Sequence, residues 1–336
     1  MSKSCLITGI TGMVGSHLTD YLLEKTDWDI YGFCRWNDDL RNINHLFKKI
    51  NREDRVHLIY GDINDFTSIS RSLKASQPDY VFHLAAQSYP LTSFTSPIET
   101  LQTNIIGTAN LLEAIHLSDF NPIIHVCASS EVFGRVSKEN IPIREDCNFH
   151  PASPYAISKV GTDLLGRYYA ESCKMTIMTT RMFTHTGPRR GDVFAESTFA
   201  KQIAMIEAGL QDPVIKVGNL NSLRTWADVR DAVRAYYMLV TINPISGEYY
   251  NIGGNFSCSV GDMLDYLINI STHSNIKYRV DENRLRPIDA DLQIPCTDKF
   301  SLHTGWSPEI SFEKTMRDLL SYWRDRVRKE SYFLSR

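Results

Sequence analysis

Over the first 180 residues, short apolar runs alternate with longer amphipathic ones, and no other feature restricts the possible folds as much. Apolar runs at 4–8, 30–34, 56–60, 80–84, 123–128 and 175–181 predict strands. Between them, 14–24, 66–73, 105–116 and 155–172 carry helical periodicity. Strands that are hydrophobic throughout, each followed by a helix, predict a parallel sheet covered on both faces. Such sheets receive ligands in the crevice at the C-terminal ends of their strands. After Arg181 the rhythm changes, and turn-rich pieces such as Thr186-Gly187-Pro188, Asp212-Pro213 and Gly253-Gly254 separate shorter helices. The stretch 227–240 still reads as a helix that returns to the sheet. A chain of 336 residues is long enough for this large unit plus a smaller one.

Composition narrows the function classes. A formal net charge of −3 gives no electrostatic case for nucleic acid or a membrane surface as the main partner. The opening MSKSCLITGITGMVGSHL has neither a signal-peptide apolar region with a cleavage site nor a run long enough to span a bilayer. The seven cysteines are scattered, odd in number and free of any CxxC pair. That pattern predicts reduced thiols in a cytoplasmic protein and no metal site.

The stretch Thr8-Gly9-Ile10-Thr11-Gly12-Met13-Val14-Gly15 lies between the first predicted strand and the first predicted helix. Its GxxGxxG spacing is a relative of the GxGxxG dinucleotide motif. Glycines there allow a tight turn and close approach to a pyrophosphate, and the helix N-terminus favours the anion. Gly9, Thr11, Gly12, Met13 and Gly15 are therefore candidate cofactor ligands. The end of the second strand reads the adenosine ribose. An acidic residue there would select NAD, whereas this chain has Cys34-Arg35 with Arg41 nearby. An arginine suits a 2′-phosphate, so NADP is favoured with NAD possible, although Arg35 could equally be a solvated surface charge. Asp62, after the third strand, is placed to meet the adenine.

Tyr155 and Lys159 form a Tyr-x-x-x-Lys pair on one face of the helix 155–172. A nearby ammonium favours phenolate and lowers the phenol's pKa, giving an acid or base usable near neutrality. Ser129 stands at the end of the fifth strand in CASSEVFG, and Glu131 follows two residues later. A glutamate is costly to bury unpaired at a strand end, so Glu131 either serves in a cleft or pairs with a neighbour at its rim.

Together these motifs resemble the extended short-chain dehydrogenase/reductases that act on nucleotide sugars. Within them the chain is most similar to the GDP-mannose 4,6-dehydratase group. The residues carrying the likeness are LAAQS (84–88), SSEVFG (129–134), PYAISK (154–159), His185 with PRRG (188–191), GNLNSLRTW (218–226) and RPIDADL (286–292). The resemblance implies catalytic roles for Ser129, Glu131, Tyr155 and Lys159. Tyr155 would remove the proton of the sugar 4-hydroxyl while hydride passes from C4 to NADP, with Ser129 sharing that hydrogen bond. Glu131 would take the C5 proton as the 6-hydroxyl leaves as water, and hydride would return to C6. It also implies cofactor contacts from Ile63, Leu84, Ala85 and Ala86. GDP-sugar contacts are implied for Ser88, Ser130, His185, Arg190, Lys201, Val217, Gly218, Asn219, Arg224 and Arg286, the last two gripping the diphosphate.

The chain departs from the group at Tyr89-Pro90 and Thr184-His185-Thr186-Gly187, both beside the expected sugar pocket. A changed hexose, for instance a GDP-manno-heptose, or a changed outcome at C4 is consistent with this. The expected fold class is α/β, a Rossmann-type doubly wound parallel sheet with a smaller, discontinuous C-terminal α/β substrate domain. The NADP-binding part is expected at 1–182 and 226–247, and the nucleotide-sugar part at 183–225 and 248–336. The expected function is a GDP-sugar 4,6-dehydratase. A GDP-sugar 4-epimerase or 4-oxidase/4-reductase working only at C4 is the first alternative, and a non-catalytic NADP(H)-sensing protein the remote one. By resemblance, a homodimer or homotetramer would form through the helices at 101–114 and 155–172.

Overall fold

The structure is a computed structural model that describes residues 2–52, 55–288 and 290–334. Its first half runs β1 (Ser4–Thr8), α1 (Met13–Lys25), β2 (Asp29–Cys34), β3 (Val56–Tyr60), α2 (Phe66–Ser76), β4 (Tyr80–His83), α3 (Pro90–Thr95), α4 (Pro97–Leu101), a π-helical turn (Gln102–Ile106), α5 (Gly107–His116), β5 (Ile123–Cys127), α6 (Pro154–Ser172) and β6 (Ile177–Met182). The second half runs β7 (His185–Thr186), α7 (Ala195–Glu207), β8 (Val214–Val217), β9 (Leu223–Asp228), α8 (Val229–Thr241), β10 (Tyr249–Ile252), β11 (Phe256–Ser259), α9 (Val260–Asn269), β12 (Lys277–Val280), β13 (Leu292–Gln293), α10 (Asp298–Thr304) and α11 (Phe312–Leu334).

Seven strands form one sheet in the order β10-β6-β5-β4-β1-β2-β3, every pairing parallel. The strand order reverses between β1 and β4, which opens a crevice at their C-terminal ends. Two apolar cores cover the sheet's faces, one containing Trp28, Tyr236 and Trp306, the other Leu111, Val126 and Tyr169. A third core of Phe199, Trp226, Leu264 and Trp323 joins the later elements into a smaller unit around β9 and the pair β8–β12. This is the α/β architecture the strand–helix rhythm predicts.

The helix starts follow from local chemistry. Ser153 accepts a hydrogen bond from Ala156 N at 3.0 Å, with Pro154 at the first helical position of α6. Asp65 caps α2 through Thr67 N and Ser68 N, and Ser259 with Asp262 forms a capping box on α9. The predicted helix at 227–240 begins two residues later because Asp228 still belongs to β9, where it caps α8 by accepting from Arg230 N. The helix expected at 105–116 extends back to Pro97 with the π turn set into it.

Two late segments pack with the large sheet. β10, which the sequence reading gives to the smaller domain, pairs in parallel with β6. Phe300 of α10 and Trp306 bury against the same core, with Trp306 Nε1 donating to Asp231 O at 3.1 Å. All seven cysteines are free thiols. Among the described residues, no helix is long and apolar enough to cross a membrane, and no group of three His, Cys, Asp or Glu side chains could hold a metal ion.

Candidate active site

The crevice at the sheet's switch point continues between the two units as one cleft of about 490 Å³. Its floor is the glycine loop. Gly12 begins α1 without any side-chain cap, so the helix's first N–H groups remain available to an anion. A Cβ on Gly15 would lie 2.3 Å from Gly9 O, so only glycine lets helix and turn approach this closely. This cradle suits a pyrophosphate, and the donor set fits a dinucleotide.

The opposite lip of the loop is the end of β4. Thr8 Oγ1 accepts from Leu84 N at 3.1 Å and Ala85 N at 3.2 Å, so its own proton goes to His83 Nδ1 at 2.9 Å. His83 Nε2 then donates to Thr108 Oγ1, also 2.9 Å away, whose hydroxyl donates to Asn104 O. Burial pushes the His83 imidazole down to about 3, which keeps it neutral in this chain of bonds.

Tyr155 and Lys159 come from α6, Ser129 and Glu131 from the end of β5, and all four line the cleft. The phenol is buried, and desolvation drives its pKa up, against the opposing effect of its hydrogen bond to Ser129. The sequence reading expected an ammonium to lower it. Instead Lys159, itself lowered by burial, donates from Nζ to Cys127 O at 2.7 Å. Asn104, at the π turn, donates to Ser158 Oγ at 2.8 Å and Gln87 O at 2.9 Å while accepting from Gln87 N at 2.8 Å. It thereby braces the tyrosine helix against the segment after β4. Sequence spacing gives no hint of it, because a π turn has no residue signature of its own.

Glu131 lies in a short 3-10 turn, its N–H donating to Ser129 Oγ at 3.2 Å. Val132 and Phe133 are fully buried beside it, which anchors the turn and leaves Glu131 at the cleft wall. Gly134 closes the turn at φ 53°, where a Cβ would collide with His150 O. The carboxylate faces two guanidinium groups from the second unit, Arg286 Nη1 at 3.5 Å and Arg224 Nη1 at 3.9 Å.

Of the other predicted residues, Gly9, Gly12, Met13, Leu84, Ala86, Ser88, Ser130, His185, Arg190, Gly218 and Asn219 also line this cleft. His185 Nδ1 donates to Phe183 O at 3.1 Å, and burial beside Arg190 brings the ring to about 4, so Nε2 carries a lone pair. Arg190 is held by Glu196 at 3.1 Å and covers the Phe194 ring. Lys201 faces an adjoining cavity of about 550 Å³ and pairs with Asp192 at 2.7 Å; Val217 is buried in the smaller unit's core. Arg35 and Asp62 stay outside the lining, Arg35 pairing with Asp38 and Asp62 accepting from Asn64 N. Ile63 packs under Gly107, and Ala85 meets the loop only through its backbone. Arg284, Glu196 and Phe194 border the cleft without having been singled out; Arg284 stands two residues before the RPIDADL stretch.

A model of the family described as GDP-mannose 4,6 dehydratase matches residues 6–319. The chain is 36% identical to a GDP-mannose 4,6-dehydratase of Vibrio cholerae serotype O1 over 95% of its own length and 93% of that protein. It is 30% identical to a GDP-6-deoxy-D-mannose reductase of Pseudomonas aeruginosa over 98% of its length and all of that protein. Among solved structures, RMD from Pseudomonas aeruginosa complexed with NADPH is similar at 28% identity, with a TM-score of 0.82 over 97% of this chain and all of that one.

Proposed function

The chain belongs to the GDP-mannose 4,6-dehydratase family, and from that premise we propose that it is an NADP-dependent nucleotide-sugar 4,6-dehydratase, a lyase converting GDP-mannose or a GDP-manno-heptose to the 4-keto-6-deoxy sugar. The observation that carries this is Glu131, a carboxylate on the same cleft wall as Ser129 and Tyr155 and facing two arginines from the other unit. The dinucleotide, when bound over the glycine loop, supplies the acceptor and later the donor of hydride.

Every other task falls to side chains. Tyr155, as the phenolate that a positively charged nicotinamide ring beside it would favour over the buried neutral phenol, receives the proton of the sugar 4-hydroxyl, and Ser129 shares that hydrogen bond and orients the oxygen. Lys159, buried in its contact with Cys127 O, fixes the position of the tyrosine helix and presents a cation to the cofactor ribose. A ketone at C4 acidifies the C5 hydrogen and Glu131 removes that proton; the 6-hydroxyl departs as water with one of the two protons then held by Tyr155 and Glu131, and the other returns to C5. Arg224 and Arg286 hold the diphosphate, a task suited to planar guanidinium donors. Gly218 and Asn219 form the nucleotide end, with Lys201 in the adjoining cavity and Val217 behind them in the core, and His185 with Arg190 form the sugar and nicotinamide end. Tyr89, Pro90 and Thr184 all line the cleft, which supports a sugar pocket altered from that of the group.

In this reading the dinucleotide domain comprises 1–182 and 226–247, and the sugar domain 183–225 and 248–336. β10 and α10 are the later pieces that pack back on the first. A second copy of the chain covers α6, whose Ile157, Leu164 and Tyr168 are half exposed along one stripe, together with exposed Ile106 of the π turn. Light scattering of Leu164→Glu checks this: the variant should run at half the wild-type mass.

A C4-only reading has one observation in its favour, the 30% identity to a GDP-sugar reductase. Mass and NMR analysis of GDP-mannose and GDP-manno-heptose after incubation separates the two. Loss of one water by the wild type, abolished in Glu131→Gln, is the expected result. Unchanged mass or loss of two hydrogens, with the variant behaving like wild type, would leave only C4 chemistry.

A further inference from the structure

The adenosine corner is electrically different from what its arginines suggest. Arg35 follows β2, where a nicotinamide enzyme reads the ribose. Its Nε donates to Asp38 Oδ1 at 2.9 Å and its backbone N–H to Asp38 Oδ2 at 3.1 Å. The same carboxylate accepts from Thr11 Oγ1 of the glycine loop at 3.5 Å, so it stands between the loop and the strand end. Asp38 is largely buried, with 18% of its side chain exposed, whereas Arg35 is 60% exposed. Asn42 donates from Nδ2 to Thr11 O at 3.0 Å and lines the cleft, so this segment belongs to the cleft rim. The other arginine of the corner is also engaged: Arg41 pairs with Asp39 and, at 3.2 Å, with Glu330. In this corner two cations are thus engaged by three carboxylates, whereas a 2′-phosphate brings close to two further negative charges.

We propose that Asp38 sets the dinucleotide preference of this chain: its carboxylate accepts a ribose 2′-hydroxyl and withholds Arg35 from a 2′-phosphate, so that NAD binds about as well as NADP. The inference rests on the reading of the cleft as a nicotinamide site and changes which dinucleotide that site favours. A carboxylate that accepts a hydroxyl proton gains a hydrogen bond from NAD, whereas the phosphate of NADP meets a like charge. Arg35 can serve a phosphate only by leaving Asp38, and Asp38 then remains beside that phosphate.

The test is calorimetric titration of the full-length protein, freed of bound dinucleotide, with NADP⁺ and with NAD⁺. Wild type, Asp38→Asn, Arg35→Ala and the double variant are compared. Wild type should bind the two within about tenfold of one another, and Asp38→Asn should tighten NADP⁺ by roughly tenfold or more without improving NAD⁺. Arg35→Ala should change little in the wild type yet remove the gain in the Asp38→Asn background, a coupling that a merely structural aspartate would not show. A wild-type preference for NADP⁺ beyond about a hundredfold, or a ratio unmoved by Asp38→Asn, overturns the proposal and leaves the nicotinamide site standing. Cooperative melting with no binding of either dinucleotide overturns the site reading and this inference with it.

Discussion

In the glycine-loop half of the cleft the chain offers backbone: the free N–H groups at the start of α1, a turn packed to within contact of β4, and one hydroxyl, that of Thr8, that orients two further amides. In the arginine half it offers long side chains, with Glu131 from the turn after β5 meeting Arg224 and Arg286 from the later unit at 3.5 to 3.9 Å. The first half is built within one sheet, from the β1–α1 turn and the end of β4 beside it. The second exists only once two cores dock. A site made of backbone tolerates no added atom, whereas a site made of side chains tolerates substitution and loses function in proportion to the contact removed.

The sharpest way to break this contrast is Gly15→Ala. One methyl driven against Gly9 O should cost about 3 kcal/mol or more and abolish dinucleotide binding, read by thermal melts and titration. Retention of both would show that the loop is softer than its geometry implies. Arg286→Ala should weaken GDP binding about 30- to 100-fold, the worth of a charged hydrogen bond, with little change in melting temperature. Acid titration compares the halves differently. His83 and His125 are buried under the sheet's C-terminal edge and pushed down to about 3, chiefly by burial. Their unfolded values lie near 6.5, so the unfolded chain binds protons first and stability falls as pH drops below that value. By pH 5 each should have cost up to about 2 kcal/mol, seen as a falling melting temperature that His83→Gln partly flattens. The smallest expected effect is Arg224→Lys. At 3.9 Å from Glu131 its charge matters more than its fork, and GDP affinity should fall less than about tenfold.

The same contrast explains what could be read in the sequence. Gly9, Gly12 and Gly15, or Tyr155 and Lys159, declare themselves by spacing because a turn and a helix face are local objects. Strand positions were legible for the same reason, since hydrophobic period follows local burial. Arg224 and Arg286 entered only through family likeness; nothing in their neighbourhoods says that both will meet Glu131. Asp38 was missed because a tight turn that folds a carboxylate back on Arg35 looks, in sequence, like an ordinary polar loop. Lowering of the Tyr155 phenol by Lys159 failed as an expectation because helix spacing fixes which face two residues share, while burial and the Cys127 carbonyl decide where the ammonium points. The pairing of β10 with β6 could not be read from the sequence, since a four-residue strand does not reveal which sheet edge it will join.

The late arrival of β10, Phe300 and Trp306 has a bearing on how the protein is made. A ribosome delivers the glycine loop well before the residues that complete the large core. Between them it must deliver much of the smaller unit, so the β6 edge waits uncovered until β10 is made, and the Tyr236 face of α8 until Trp306 is. Neither half is a separable module, and a chain cut after residue 182 would lack both its edge strand and the tryptophan that seals the helix layer. The cleft therefore cannot be finished before Trp306 has been made.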